Sequence, residues 1–388
     1  MNVLISGSGI AGAAAALYLH RDGHNVTMID KAHSFQPAGY ALALKSFGLR
    51  VVADLGLLDA VQRSTIPIDT VHILESNGDL IKAVDARAMA GAAKGAAMVY
   101  RSDLQRILYT AASADAPVHF GKEVAQIVQD DSGVQVAFSD GTFGRFDLLI
   151  IAEGVRSRTR ALVWGEGGVH RFDVTYAAGR IEHGIAPSKA LLWYLGMGTS
   201  LTLIPVDGQR TLVQAYCRGV ADVTDSKAEV QRLLAGRFEN FDAGARRVLE
   251  QLEADGELFC DSVAMVTIPD LTRGRVVLLG DAGYCPTFLS GMGASLALIG
   301  AKALQQSMHA AGSNVDAGLL AYNALLQPLI HRFQANAQDH LNSFLTSSRT
   351  SLWIRDKIMH AIPQSILGWA FGHPYDAEAS LVNRIMSA

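Results

Sequence analysis

Charge is scarce in this chain. Acidic and basic residues fill only 18% of its 388 positions and leave a net charge of −4. No basic block stands out, so nothing points to nucleic acid as a partner. Cysteine is scarcer still: Cys217, Cys260 and Cys285 lie far apart and form no CxxC pair. That spacing argues against a disulfide framework, a metal site and a dithiol redox pair, and a reducing, cytoplasmic setting is expected. No apolar run has the length of a membrane span, so membrane association is not expected. Internal repeats and low-complexity segments are absent. The first predicted strand starts at Val3, so no leader peptide is expected ahead of it.

What the chain has instead is apolar residues, 49% of the total, which at this length suit two domains built on large buried sheets. Val3-Leu4-Ile5 reads as a short buried strand. Gly7-Ser8-Gly9-Ile10-Ala11-Gly12 follows at once, then an alanine-rich helix from Ala13 to Arg21. A second strand, Val26-Thr27-Met28-Ile29, ends at Asp30 with Lys31 beside it. Gly7 permits a tight turn, Gly9 lets a pyrophosphate approach the backbone, and Gly12 lets helix and strand pack closely. Ile10 and Ala11, between the second and third glycines, belong to the same cofactor site. Asp30 is placed to accept hydrogen bonds from a ribose. Strand before, helix after and an acid closing the next strand together make this a dinucleotide site, without separating NAD from FAD.

The next stretch departs from a plain run of βα units. Within the loop 35–48, Gly39-Tyr40-Ala41-Leu42-Ala43-Leu44 alternates like a short strand, and Val51–Ser64 reads as one amphipathic helix. Thr70–Leu74 and Leu80–Val84 form a predicted hairpin about Asn77-Gly78, and Met89–Ala97 is a Gly/Ala-rich connection. Arg101 precedes a helix running to Ala112, where it can serve either a ligand or a surface salt bridge. Strands are expected at Val118–Phe120, Val124–Gln129, Val134–Phe138 and Leu148–Ile151. The last ends in Ala152-Glu153-Gly154, followed by Val155-Arg156-Ser157-Arg158-Thr159-Arg160. Those three arginines read as a solvated face rather than as a seat for a phosphate-bearing partner such as NADPH.

A third motif lies far along the chain. Val276-Val277-Leu278-Leu279 is a strand buried on both faces, and it delivers Asp281 to its carboxyl end after Gly280. A loop, Tyr284–Ser290, carries Pro286. Gly291 and Gly293 then open a helix, leaving bare N–H groups at its positive end. A carboxylate beside such a helix start suits a ligand with a hydroxylated chain and an anionic edge. The plain alternative is a strand–loop–helix with a solvated aspartate.

In this order, the three motifs resemble those of the p-hydroxybenzoate-hydroxylase-type class of FAD-dependent monooxygenases, the group A flavoprotein hydroxylases. Gly39–Lys45, with Tyr284-Cys285-Pro286 and Leu289-Ser290-Gly291, further resembles the branch containing tetracycline-inactivating monooxygenases. The resemblance covers most of residues 1–335. It implies a mixed α/β fold with a discontinuous Rossmann-like FAD-binding domain (1–164 and 271–335), a mostly antiparallel substrate domain (165–270) and C-terminal bridging helices (336–388). It also implies that Asp281 binds the ribityl or ribose region and Arg101 the ribityl chain, with the backbone of Val124 at the adenine end. Leu44, Gly154, Pro286, Gly291, Met292, Gly293 and Ala294 complete the implied FAD site. Three positions depart from the family pattern. Glu153 stands where aspartate is usual, Tyr284 replaces a common histidine, and Thr287 or Phe288 falls where the distal proline is expected.

Within the substrate domain, strands are predicted at Phe172–Ile181, Leu191–Leu195, Ser200–Pro205, Thr211–Cys217 and Ser262–Ile268. Helices are predicted at Lys227–Phe238 and Ala243–Ala254. Candidate substrate residues are Arg180, His183, Trp193, Tyr194 and Tyr216, joined by Pro286 and Phe288 from the distal loop; the first five read equally as core or surface side chains. The tail reads as helices Leu320–Ser347 and Ser351–Ala361, which brace both domains, with a peripheral membrane patch or a dimer surface as the alternatives. The resemblance implies reduction of FAD by NADH or NADPH, then reaction with O₂ to a C4a-hydroperoxide that passes one oxygen atom to an aromatic or polyketide-like substrate. No catalytic side chain is named, and a monomer or a homodimer is expected. Alternatives on the same scaffold are a halogenase, whose WxWxIP signature is missing here, and a prenyl-chain reductase. A non-catalytic escort protein is the remaining one.

Overall fold

Leu148-Leu149-Ile150-Ile151 is apolar throughout because both its faces are covered. In the computed structural model, which describes residues 1–36, 40–86, 96–184, 189–219, 227–255, 258–287, 290–335, 337–363 and 379–387, it is an inner strand of a six-stranded sheet. The order is Thr272–Arg273, Val276–Leu278, Leu148–Ile151, Asn2–Ser6, Asn25–Asp30, Val118–Phe120. All neighbours run parallel except the first pair. Helices Ile10–Arg21 and Gly293–Ala311 pack together on one face. A three-stranded antiparallel sheet, Val124–Asp130, Gly133–Phe138 and Phe143–Phe146, lies on the other, where Val134 and Val136 are fully buried. Parallel pairing needs cover on both faces, and these two layers provide it.

A second sheet of seven strands stands across a cleft from the first. Its order is Phe259–Val266, Val169–Ile181, Thr211–Arg218, Thr199–Pro205, Ala190–Leu195, Thr70–Glu75, Leu80–Asp85. One face buries Leu201, Val213 and Ala215 under helices Lys227–Arg237 and Ala243–Asp255 through Leu234, Phe238 and Val248. The other face looks into the cleft. The hairpin at 70–85 forms as predicted, yet it belongs to this sheet and not to the first domain: Thr70–Glu75 pairs parallel with Ala190–Leu195. The boundary expected at residue 165 is therefore crossed.

Two predicted helices are each divided. Val51–Ser64 is helices Ser46–Asp54 and Leu58–Arg63, parted at Gly56, which adopts φ +75°. Leu320–Ser347 is helices Val315–Gln334 and Ala337–Phe344, parted at Ala335, whose ψ of 138° is extended. Leu341 and Leu345 pack against Phe172, Val174 and Tyr216 of the second sheet. A further helix, Arg349–Ala361, is fastened to the sheet's edge by Lys82, whose Nζ donates to the carbonyls of Met359 (3.0 Å) and Ile362. The predicted connection Met89–Ala97 falls largely outside the described residues, as does Phe288. Among the described residues, no helix is long and apolar enough to cross a membrane.

Candidate active site

The cleft between the sheets holds about 1520 Å³. Its wall begins at the first glycine turn. Gly7 adopts φ +105°, and a Cβ there would lie 2.4 Å from the Ala152 carbonyl oxygen. A Cβ on Gly12 would lie 1.9 Å from the Gly7 carbonyl oxygen, so helix Ile10–Arg21 meets its strand at a distance only glycine allows. Gly9 differs: a Cβ there would meet nothing within 4 Å, because it opens into the cleft. Ile10 and Ala11 line the cleft beside it, and no side chain caps this helix. Asp30 and Lys31 follow along the same wall. The Asp30 carboxylate is held in place by Ser8 N (2.9 Å), Ser8 Oγ (2.7 Å) and Ala32 N (3.0 Å).

The distal motif closes onto the first. Gly280 (φ +64°) would bring a Cβ to 2.8 Å from the Ala11 Cβ, so strand Val276–Leu278 ends against the start of the first helix. Asp281 lines the cleft at that junction. Burial pushes its pKa up, and the nearby Arg101 guanidinium partly offsets this. Arg101 lines the cleft at the start of helix Arg101–Ser113, with its guanidinium 5.3 Å from the centre of the Tyr40 ring. The distal helix starts at Gly293, the second of the two glycines expected to open it, while Gly291, two residues earlier, makes a left-handed turn at φ +58°. Gly291, Gly293 and Ala294 line the cleft. Thr287 also lines it, held at φ +75°, an expensive conformation for a β-branched residue.

Glu153 uses its extra methylene within its own chain. Its carboxylate accepts from Ser6 Oγ and Thr159 Oγ1 (both 2.5 Å), Ser157 Oγ (2.7 Å) and Thr159 N (3.2 Å). Those four donors tie the first strand to the start of helix Arg158–Trp164 and hold Gly154 (φ +77°) at the cleft. The three arginines beyond it do not share a solvated face. Arg160 is buried and donates to the carbonyls of Ala282 and Val155 (both 2.8 Å). Arg156 reaches over the cleft to Asp261 (2.6 Å), and Arg158 stays exposed beside Glu123 (3.4 Å).

Opposite this wall, the seven-stranded sheet forms an aromatic floor. Tyr176 and Tyr216, directly paired across neighbouring strands, stack at 4.7 Å. Trp193 stacks on Phe344 at 5.8 Å and donates from Nε1 to Ser200 Oγ (2.9 Å). Gln214 Nε2 donates to the Ala41 carbonyl (2.8 Å), joining the floor to the strand Ala41–Leu44. Of the candidate substrate residues, Trp193 and Tyr216 line the cleft. Tyr194 does not: strand alternation turns it to the opposite face, against Phe241. Arg180 and His183 also lie elsewhere. Arg180 sits two pleats past Ala178 on its strand, exposed and paired with Glu182 (2.7 Å), and His183 is exposed beyond the strand's end. Pro286 is outside the lining, although Cys285 and Thr287 on either side of it are within. Leu44, Val124 and Met292 are buried core side chains next to lining residues. Tyr40, Tyr176, Gln214 and Phe344 were not expected; only the face-by-face alternation of the strands carried a signal for Tyr176 and Gln214.

A family model described as an FAD binding domain matches residues 1–337. A flavin-dependent monooxygenase of Legionella longbeachae serogroup 1 (strain NSW150) is 25% identical over 366 residues, spanning 92% of this chain and 93% of that one. The chain belongs to this family of FAD-dependent monooxygenases. The monooxygenase is also similar to tetracycline destructase Tet(55), with 25% identity, a TM-score of 0.79, and coverage of 95% of this chain and 96% of that one. Klebsiella pneumoniae HpxO, solved with FAD and uric acid, shares the fold: its TM-score is 0.84 at 22% identity, covering 100% of this chain and 97% of its own. The residues of the monooxygenase fit FAD on their own chemistry. Gly9 leaves the cleft open beside uncapped helix N–H groups, Asp30 offers a braced acceptor, and a second uncapped helix begins at the far end.

Proposed function

We propose that the monooxygenase inserts one oxygen atom from O₂ into a flat aromatic or polyketide-like small molecule, using NADPH or NADH as reductant. The observation that carries this reading is the chemical asymmetry of one continuous cleft. The Gly9–Asp30 wall and the Asp281–Gly293 end suit the two halves of FAD, and the Tyr176–Tyr216–Trp193–Phe344 floor suits a planar ring system. At about 1520 Å³ the cleft exceeds the ~300–1,000 Å³ typical of a single small-ligand site, which leaves room for cofactor and substrate together. Tetracycline and uric acid, named with the two similar structures, are both oxygen-rich ring systems.

Bound FAD supplies the redox chemistry, accepting a hydride and delivering one oxygen atom of O₂ while the other leaves as water. The chain's own residues bind, orient and exclude water. The wall glycines admit the pyrophosphate, and Asp281 and Arg101 hold the hydroxylated chain. The stacked tyrosines and the Trp193–Phe344 pair clamp the substrate plane and keep water from the reacting atoms. Gln214, braced by Ala41, is placed to orient a substrate hydroxyl or carbonyl. Purified protein is expected to show flavin bands in the visible spectrum. Across a panel of phenols and polyketides, a true substrate accelerates NAD(P)H oxidation and gains one oxygen atom by mass spectrometry with heavy-isotope O₂. Flavin-free protein that cannot be reconstituted would refute the reading.

A further inference from the structure

The floor of the cleft is not uniform along its strands. Side chains on one sheet face repeat every second residue, so paired strands set them out in rows roughly 6.6 Å apart. One row is aromatic and polar: Tyr216 pairs with Tyr176, and Tyr176 with Asp261. The next is mixed, with Gln214 beside Thr202 and Thr202 beside Trp193. The third is aliphatic: Val71 pairs with Leu191, and Ile204 follows on the adjoining strand. Side chains of all three rows line the cleft. The aliphatic row therefore lies roughly 13 Å beyond the tyrosines, with Gln214 between them.

A ceiling of the same chemistry covers that third row. Ile66, Ile68 and Met98 line the cleft and pack in one cluster with Val71, Leu191 and Ile204. Ile66 N donates to the Met98 carbonyl (2.8 Å), which ties the segment after helix Leu58–Arg63 to strand Ala97–Tyr100. Among the described lining residues of 65–71 and 96–98 the one charge is Asp69, which is exposed and paired with Lys189 (3.7 Å). We propose that this end is a subsite for an aliphatic chain, alkyl or prenyl, carried by the substrate. The substrate is then an amphiphile: its oxygenated ring sits on Gln214 and the tyrosines, and its tail lies between Leu191 and Ile204 below and Ile68 and Met98 above. The idea rests on the substrate reading of the floor given above, and the subsite is continuous with that floor. A chain there leaves water on both sides, and each methylene buried tightens binding about fourfold. A charged tail would find no partner on either surface, so the same end also selects against it.

The test uses FAD-loaded enzyme and 5-alkylresorcinols from methyl to heptyl, with dissociation constants read from the change each causes in the visible flavin bands. Wild type is expected to bind each longer member about fourfold more tightly per methylene until the subsite is full. Met98→Gln puts an amide into the ceiling and is expected to cut that gain to less than about twofold. Ile68→Phe fills the space and is expected to end the gain at a shorter chain. Both residues are half-buried, so the loaded enzyme should still fold. Gln214→Leu is expected to weaken every member alike and leave the gain per methylene intact, since it meets the ring alone. Affinities independent of chain length in wild type would overturn the proposal. So would a gain unchanged in both Met98→Gln and Ile68→Phe, because the tail would then lie elsewhere. Flavin-replete enzyme that binds no member of the series would overturn the subsite while the monooxygenase reading stands. Wild-type protein that cannot take up flavin fails before any ligand is added; it refutes the earlier reading and takes this one with it.

Discussion

Along the wall of the cleft, recognition is done by what is missing: Gly7, Gly9, Gly12 and Gly280 lay backbone bare or let elements touch. Along the floor, by the proposed reading, it is done by large side chains, Tyr176, Tyr216, Trp193 and Gln214, projecting from three strands of one sheet. The wall is therefore intolerant of added atoms and the floor of lost ones. A cofactor common to many relatives suits the first kind of surface, and a substrate that varies among them suits the second.

The strongest way to break this contrast is to add atoms to the wall. Gly12→Val should cost more than about 3 kcal/mol and prevent accumulation of folded protein, because its Cβ would overlap the Gly7 carbonyl at 1.9 Å. Gly9→Glu, with open space at its Cβ, should leave thermal unfolding near wild type while flavin content falls at least about tenfold, since a carboxylate would occupy the pyrophosphate approach. Equal loss of folding in the two variants would erase the distinction between packing and binding glycines.

Removing atoms from the floor should act on substrate alone. Gln214→Leu is expected to retain flavin and raise the substrate KM about tenfold, the worth of one well-placed buried hydrogen bond. Arg180→Ala, outside the cleft, should leave KM unchanged. Steady-state NAD(P)H oxidation reports both, and an Arg180 effect as large as that of Gln214 would mean the substrate reaches well beyond the aromatic patch.

The smallest expected effect concerns Asp281. Burial raises the folded-state pKa of this carboxyl above its unfolded value, so its ionisation disfavours the apoprotein. The associated stability is fully present below the unfolded pKa, about 4, and is lost as pH rises through the folded value. Asp281→Asn should accordingly raise the melting temperature of apoprotein at neutral pH, with the difference vanishing in acid, while FAD affinity falls. A variant less stable at neutral pH would show that the carboxylate is net stabilising before the cofactor arrives.

The wall was legible in the sequence because its logic is local. Glycine spacing, a short buried strand and an acid at a strand's end fall within single supersecondary units, one at residues 3–30 and another at 276–293. The floor was not, because a single step along a strand moves a side chain from one face to the other. Trp193 meets the cleft and Tyr194 the helices, although both are aromatic and adjacent. Phe344 arrives from a helix about 150 residues downstream of Trp193, a pairing that only tertiary packing sets. Arg160 was misread as solvated for the same reason: its partners, the carbonyls of Ala282 and Val155, become visible only once the middle and distal motifs meet. Glu153 was flagged as a departure from its family, and its four internal donors give the reason.

The hairpin Thr70–Asp85 has a practical corollary for anyone recombining this enzyme with its relatives. A contiguous graft of 165–270 would strip two outer ribbons from the transplanted piece and leave Ala190–Leu195 as a naked parallel edge, open to the wrong neighbour. The sheet that floors the cleft is thus encoded by two separate passages of the gene, and chimaeras that respect only one of them should aggregate.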